Sequence, residues 1–356
     1  MTRLEKFRNK LREIGVDGAI VLDELNQHYL SGFAFTDGLL LITQSSAELI
    51  TDFRYYEMAQ GAADREYNVV IPESRDEYIS KVLCSDGVKT LGLEGDFVSF
   101  NTYNRYKEKY PNIEFVSIGN TIEKLREIKD AEEMAIMQKA QDITDAAFSH
   151  LLSVIKTDMT EIELAAELEY FMRRSGADGV AFDTIAVSGD ASALPHGTPR
   201  NVKLNKGFLT LDYGAKYKGY CSDMTRTLVI GKADSEIKKL YNTVLRAQLS
   251  AIEYMKEGAD CGEADKIARD IIDSETEYRG AFGHSLGHSV GLFIHESPRL
   301  SRVSFGQKMR VGEIYTAEPG IYLFGKYGCR IEDMVAIEKD GIYNFTHSTK
   351  ELIEIF

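Results

Sequence analysis

Apolar residues recur along the first third of the chain at two alternating periods. Leu4, Phe7, Leu11 and Ile14 are spaced three and four apart, which predicts one face of an amphipathic helix. The run GAIVL predicts a short buried strand, and GLLLIT and AELIT predict two more across a polar turn. RYYEMAQGAA reads as helix, YNVVIP as strand and DEYISKVLCSDG as helix. TLGLEG and IEFVSIG are strands flanking the helix SFNTYNRYKEKYP. Strands alternating with helices over roughly 120 residues predict a small α/β domain.

The charged segment IEKLREIKDAEE marks a boundary, placed at 123/124. Beyond it the pattern changes to long helices followed by strands. Asp130 with Glu133 forms a capping-box start for a helix to about Ile155, and Thr160 with Glu163 starts a second that ends near Gly176. Strands follow through FLTLDYGAKYKGYCSDMTRTLVIG. The order then recurs, with a helix from about Glu236, a helix after CGEAD, a glycine at Gly280 and strands to the end. Two helices followed by strands, twice, predict an internal duplication of roughly 110 residues.

Length agrees with two domains, since 356 residues exceed what one core usually holds. A net charge of −14 argues against a nucleic-acid footprint, which needs a basic stripe. It leaves room for an acidic site neutralised by a bound cation. Cys84, Cys221, Cys261 and Cys329 are scattered without a C-x-x-C pair, so reduced thiols in a cytoplasmic protein are expected. MTRLEKFRNKLREIG lacks the apolar core of a secretory signal, and no apolar run is long enough for a membrane span.

The candidate chemistry lies in the duplicated part. Asp212 ends the strand-like run FLTLDYG and Asp223 opens CSDMTRTLVI, with Gly214 and Gly219 marking a turn between them. Adjacent antiparallel strands can aim both carboxylates at one spot, although either alone is an ordinary strand-end aspartate. Glu318 lies in TAEPG and Glu332 in CRIEDM. Arg330 and Glu332 share a strand face while Asp333 points away, and the bland alternative is an exposed Arg330–Glu332 pair. GHSLGHSVGLFIHE places His284, His288 and His295 within twelve residues on a glycine-rich backbone. Glycines at 283, 287 and 291 argue against helix there and allow close approach to a crowded site. One imidazole and four carboxylates exceed a single tetrahedral zinc and suit two divalent ions, manganese or cobalt before a thiolate-loving metal. Two such ions roughly 3.5 Å apart would activate a shared water near neutral pH.

The segments LPHG, LDYGAKYKGYCSDMTRT, GHSLGHSVGLFIHESP, AEPGIY and RIEDM, in this order, resemble the M24 metallopeptidases: Xaa-Pro dipeptidase (prolidase), aminopeptidase P and their relatives. The resemblance covers essentially the whole chain. It implies a creatinase-type α/β N-terminal domain at 1–123 and an α+β pita-bread catalytic domain with pseudo-twofold duplication at 124–356. It implies metal ligands at Asp212, Asp223, His288, Glu318 and Glu332, with Glu318 also the proton shuttle. His196 matches the substrate-side histidine, His295 the one that holds the scissile carbonyl oxygen, and His284 a position near the substrate. Ser289 departs from the family's usual glycine, with no loss of activity expected.

The implied activity is a metal-dependent exopeptidase that cleaves the Xaa-Pro bond of dipeptides through a metal-bridging hydroxide. Two divalent ions are expected, Mn²⁺ first, with Co²⁺ or Zn²⁺ as alternatives. Phe182 is a candidate for shaping the proline site. Arg299 is the candidate for a dipeptide's free carboxylate, and prolidases resembling this chain carry an arginine there. The nearest alternative is aminopeptidase P, acting on longer peptides. Methionine aminopeptidase usually lacks the N-terminal domain, and a creatinase-like hydrolase or a non-catalytic binding protein lacks the five ligands. Family resemblance also implies a homodimer in which Asp37, in the loop SGFAFTDG, lies near the partner's substrate entrance. Small proline-containing peptides are the expected partners, with neither nucleic acid nor membrane.

Overall fold

The computed structural model describes all 356 residues, which separate into two compact units, Met1–Arg126 and Glu127–Phe356. In the first, strands β1 (Gly18–Val21), β2 (Leu39–Thr43), β3 (Ala47–Ile50), β4 (Asn68–Val70), β5 (Thr90–Leu93) and β6 (Glu114–Ser117) form one sheet in the order β4-β3-β2-β1-β5-β6. Helices α1 (Arg3–Glu13), α2 (Glu24–Ser31), α3 (Phe53–Ala62), α4 (Arg75–Ser85), α5 (Phe100–Lys109) and α6 (Thr121–Arg126) fill the connections. The boundary falls at 126/127, not 123/124, because α6 belongs to the first unit. It buries Ile122 and Arg126, and its Leu125 carbonyl accepts the Tyr29 hydroxyl at 3.0 Å. Leu4, Phe7 and Leu11 form the buried face of α1, but Ile14 is exposed. The helix stops at Glu13, and Gly15 turns the chain with φ 71°.

The second unit repeats itself. Its first half runs α7 (Ala131–Val154), α8 (Glu161–Arg174), β7 (Gly179–Val180), β8 (Ile185–Ser188), β9 (Gly207–Tyr213), β10 (Ala215–Tyr217), β11 (Tyr220–Cys221) and β12 (Met224–Ile230). Its second runs α9 (Ser235–Tyr254), α10 (Cys261–Ser274), β13 (Gly287–Ser289), β14 (Glu296–Leu300), β15 (Ile314–Ala317), β16 (Gly320–Leu323), β17 (Tyr327–Arg330), β18 (Asp333–Glu338) and β19 (Gly341–Asn344). A last strand, β20 (Glu354–Ile355), returns to pair with β12. Both expected capping boxes form, on α7 and α8. CGEAD proves to be the first turn of α10 and not a lead-in, because the Asp260 carboxylate caps the N–H groups of Gly262 and Glu263.

Each half folds three strands into the same antiparallel arrangement, β8-β9-β12 and β13-β15-β18. Each also keeps its own apolar core, around Leu164, Leu168 and Leu211 in one and Val244, Ile272 and Val335 in the other. The repeat puts the carboxylates in matching places. Asp212 lies near the end of β9 and Glu318 just past the end of β15. Asp223 and Glu332 each sit one residue before β12 and β18.

One buried ion pair ties β12 to β18. Arg226 Nη2 donates to Asp333 Oδ1 at 2.8 Å, with both side chains inaccessible to solvent. Its Nη1 donates to the Glu332 carbonyl at 2.5 Å, and its remaining N–H groups reach the carbonyls of Ser348 and Thr349. Arg226→Met leaves Asp333 underneutralised and several buried carbonyls unpaired. It is expected to lower unfolding free energy by about 3–5 kcal/mol, read by denaturant titration of the metal-loaded protein. A loss below about 1 kcal/mol would contradict this account of the join.

Candidate active site

The two halves enclose a cavity of about 770 Å³. Its lining includes Asp212, Asp223, His288, Glu318 and Glu332, together with His196, His284, His295, Arg299 and Phe182. Asp37 lies in the first unit, where it is exposed and paired with Arg54 at 2.8 Å.

The carboxylates converge. Asp212, Asp223 and Glu332 each offer an oxygen within 4.8 Å of the others. His288 Nε2 stands 3.6 Å from Asp223 Oδ2 and 3.4 Å from Glu318 Oε1. These contacts are not salt bridges, because the imidazole is neutral. Burial, with help from His295 and Arg299, pushes His288 down to about 4. Its Nδ1–H donates to the Ser289 carbonyl at 3.0 Å, which leaves the Nε2 lone pair facing the acids, as a metal ligand requires. Burial and mutual repulsion raise Asp223 and Glu332 far above the carboxylate range, and burial raises Glu318 to about 8. Two buried oxygens, Asp212 Oδ1 and Glu332 Oε1, have no donor in the protein. Unpartnered carboxyl oxygens beside a lone imidazole nitrogen fit divalent cations.

Arg330 is the single guanidinium inside the cluster. Its Nη2 donates to Asp212 Oδ2 at 2.6 Å and its Nε to Thr225 Oγ1 at 3.0 Å, and Thr225 in turn donates to Glu332 Oε2 at 2.6 Å. The sequence alternative of an exposed Arg330–Glu332 pair fails, because both are buried and Arg330 pairs with Asp212. Asp333 does point away, into the Arg226 network. Arg330 Nη1 donates to Tyr322 OH at 2.6 Å, Tyr322 donates to His284 Nε2 at 2.9 Å, and His284 Nδ1–H donates to the Ser285 carbonyl. Both ring nitrogens of His284 are therefore committed within the protein, and burial holds its pKa down to about 4. Tyr322 gave no signal in sequence. Thr225 was also missed, although its place two residues after Asp223 in a strand-like run put it on the same face.

The glycines have a packing reason. A Cβ on Gly287 would strike the Thr316 carbonyl, and one on Gly291 would meet the Glu296 carboxylate at 2.5 Å. Glu296 is held beneath this loop by buried Lys129, Nζ to Oε2 3.2 Å. His295 stays at the cavity surface, edge-on to His288 with ring centroids 4.5 Å apart, and burial and Arg299 lower its pKa. Arg299 pairs across strands with His288, and its guanidinium has no acceptor in the chain.

His196 rides on an anchored loop. Glu161, fully buried, accepts from Ser188 N and Oγ and from Arg200 N, Nε and Nη2, at 2.7–3.0 Å. On the other side, Gly328 N donates to Ser192 Oγ and Arg330 Nη1 to the Pro195 carbonyl. The sequence reading missed Glu161, whose position at a helix start suggests only surface charge.

Residues 135–339 match the description Metallopeptidase family M24, and residues 3–128 match Creatinase/Prolidase N-terminal domain. A structure titled Xaa-Pro dipeptidase from Bacillus anthracis superposes with a TM-score of 0.94 at 41% identity, covering 99% of each chain. The structure of an X-Pro aminopeptidase from Thermotoga maritima gives 0.92 at 35%, covering 98% of this chain and 100% of that one. A Pyrococcus horikoshii protein named Xaa-Pro dipeptidase is 37% identical over 355 residues, 99% of this chain and 98% of the relative.

The raised carboxylates set a pH dependence for the metal-free chain. Glu318 titrates near 8 when folded against an ordinary 4.5, so between these values the folded state binds more protons than the unfolded one. Stability from this group is therefore lost as pH rises toward 8. Lowered histidines oppose the trend chiefly below their ordinary 6.5, and above it by only about 0.4 kcal/mol each. Chelated protein is expected to melt lower at pH 8 than at pH 6.5, by on the order of 1–2 kcal/mol in stability, with the difference removed by Mn²⁺. Equal melting of the chelated protein at both values would contradict the assignment.

Proposed function

The chain belongs to metallopeptidase family M24, and from that premise we propose that it is an Xaa-Pro dipeptidase. The observation that carries the reading is the pairing of a buried acid cluster with Arg299, whose guanidinium has no hydrogen-bond acceptor in the chain, across the strand from His288. An enzyme restricted to dipeptides must neutralise a free carboxylate one residue beyond the scissile bond, and a guanidinium does so with two parallel hydrogen bonds.

Asp212, Asp223, His288, Glu318 and Glu332 would hold two divalent ions, Mn²⁺ by donor preference, with cobalt or zinc as substitutes. When bound, the ions supply Lewis acidity that acidifies water and polarises the scissile carbonyl. Arg330 fixes Asp212, and through Thr225 it orients Glu332. His295 and His196, both at the cavity surface, donate to the carbonyl oxygen as it gains charge. Glu318 takes the proton from the attacking water and delivers it to the proline nitrogen. That nitrogen is a tertiary amide without an N–H, so recognition relies on the shape around the ring, including Phe182. The protein is proposed as a cytoplasmic homodimer in which Asp37 influences the neighbouring subunit's substrate choice. No helix is long and apolar enough to cross a membrane.

The Thermotoga maritima likeness favours aminopeptidase P as the second reading. Arg299→Ala separates the two. Losing a charged hydrogen bond costs about 1.5–3 kcal/mol, so KM for Xaa-Pro dipeptides should rise roughly ten- to a hundredfold. Hydrolysis of amidated or longer substrates should change less. Equal effects on free-acid and amidated substrates would make aminopeptidase P the better description.

Asp223→Ala or His288→Ala is expected to abolish activity and lower bound metal, with the circular dichroism spectrum retained. An active, metal-free His288→Ala protein would remove the metal assignment.

A further inference from the structure

The cavity is charged differently on its two sides. Arg299 lies on β14, in the second half. In the first half, Glu169 on α8 and Asp183 just before β8 line the same cavity, and no cation or hydrogen-bond donor in the chain meets either carboxylate. Glu161 on the same helix is saturated by Arg200 and Ser188, so the contrast is specific to the cavity face. Ala165 and Glu169 are one helical turn apart, and both line the cavity. Ile185, the first residue of β8, pairs across strands with Asp212, which sets Asp183 and Thr184 beside the first-half end of the acid cluster.

A second observation points to a ligand. Thr184 lines the cavity, is only 5% exposed, and its hydroxyl oxygen is buried without a partner. Two carboxylates and a hydroxyl oxygen are three acceptors, and a primary ammonium carries three N–H donors. The scissile bond must lie at the acid cluster, with Arg299 on the side of the leaving proline. The first-half lining, which includes no lysine or arginine, is then the side left for the residue before proline.

We propose that Glu169, Asp183 and Thr184 form a subsite for an ammonium side chain on the first residue, so that lysyl-proline is preferred over neutral dipeptides. This rests on the dipeptidase reading and specifies its substrate class. Neutralising the wall removes the preference, because the attraction is that of a partly screened ammonium–carboxylate pair.

The test compares lysyl-proline with norleucyl-proline, which has the same straight side chain without the ammonium. Both are assayed with the Mn²⁺-loaded wild type, Glu169→Gln, Asp183→Asn and the double variant, with melting temperatures recorded alongside. Expected is a preference for lysyl-proline in kcat/KM of about tenfold in the wild type, lost in the double variant through a fall on lysyl-proline at least several times larger than on norleucyl-proline. A wild type that does not distinguish the two overturns the proposal. Equal losses on both substrates also overturn it, and assign the wall to the α-ammonium that both share. Should the double variant misfold, the single variants carry the test, each reducing the ratio. Failure of the wild type to cleave either dipeptide would instead overturn the dipeptidase reading.

Discussion

Carboxyl groups crowded together mostly out of water repel one another, and Asp223, Glu318 and Glu332 resist ionisation. That constraint governs the second unit. Arg330 alone cannot neutralise Asp212, Asp223, Glu318 and Glu332, and burial drives three of them toward the protonated state. The cluster is stable as an ionised group only with divalent cations in it. The rest of the chain supplies the hydrogen bonds that fix these side chains in place.

The duplication is how the sequence meets this demand. Two copies of one antiparallel arrangement deliver carboxylates from equivalent strand ends, and Arg226 locks the strands that follow Asp223 and Glu332. The surrounding groups act through those side chains. Ser289 O fixes the His288 tautomer, Thr316 donates to Glu318, and Thr225 couples Arg330 to Glu332. A second tier carries the cavity-lining histidines, with Glu161 bracing the His196 loop and Lys129 bracing the turn that leads to His295.

Much of this was legible in sequence, for identifiable reasons. The capping boxes at Asp130 and Thr160 are local hydrogen bonds, so short spacing reveals them. The strand-end acids and the glycine-rich histidine stretch stand out because charge and bare backbone are costly in a core. Exposure of Ile14 did not show, because a helix end depends on Gly15 and not on apolar period. The boundary at 126 was hidden because α6 is charged outside yet buries Ile122 and Arg126. Arg330's partner is 118 residues away, and Glu161's is 39 away, so only the fold reveals which charges meet. Tyr322 has no local signature, since its hydroxyl matters only through contacts made in three dimensions.

Calorimetric titration of the chelated protein with Mn²⁺ near pH 7, repeated in buffers of different ionisation enthalpy, reads the central constraint directly. Filling a cluster whose acids are held protonated by burial must expel their protons. The account predicts saturable binding with net proton release, so the observed heat changes linearly with buffer ionisation enthalpy. Binding with buffer-independent heat, or no saturable binding, would show that the buried acids are not held in waiting for a cation.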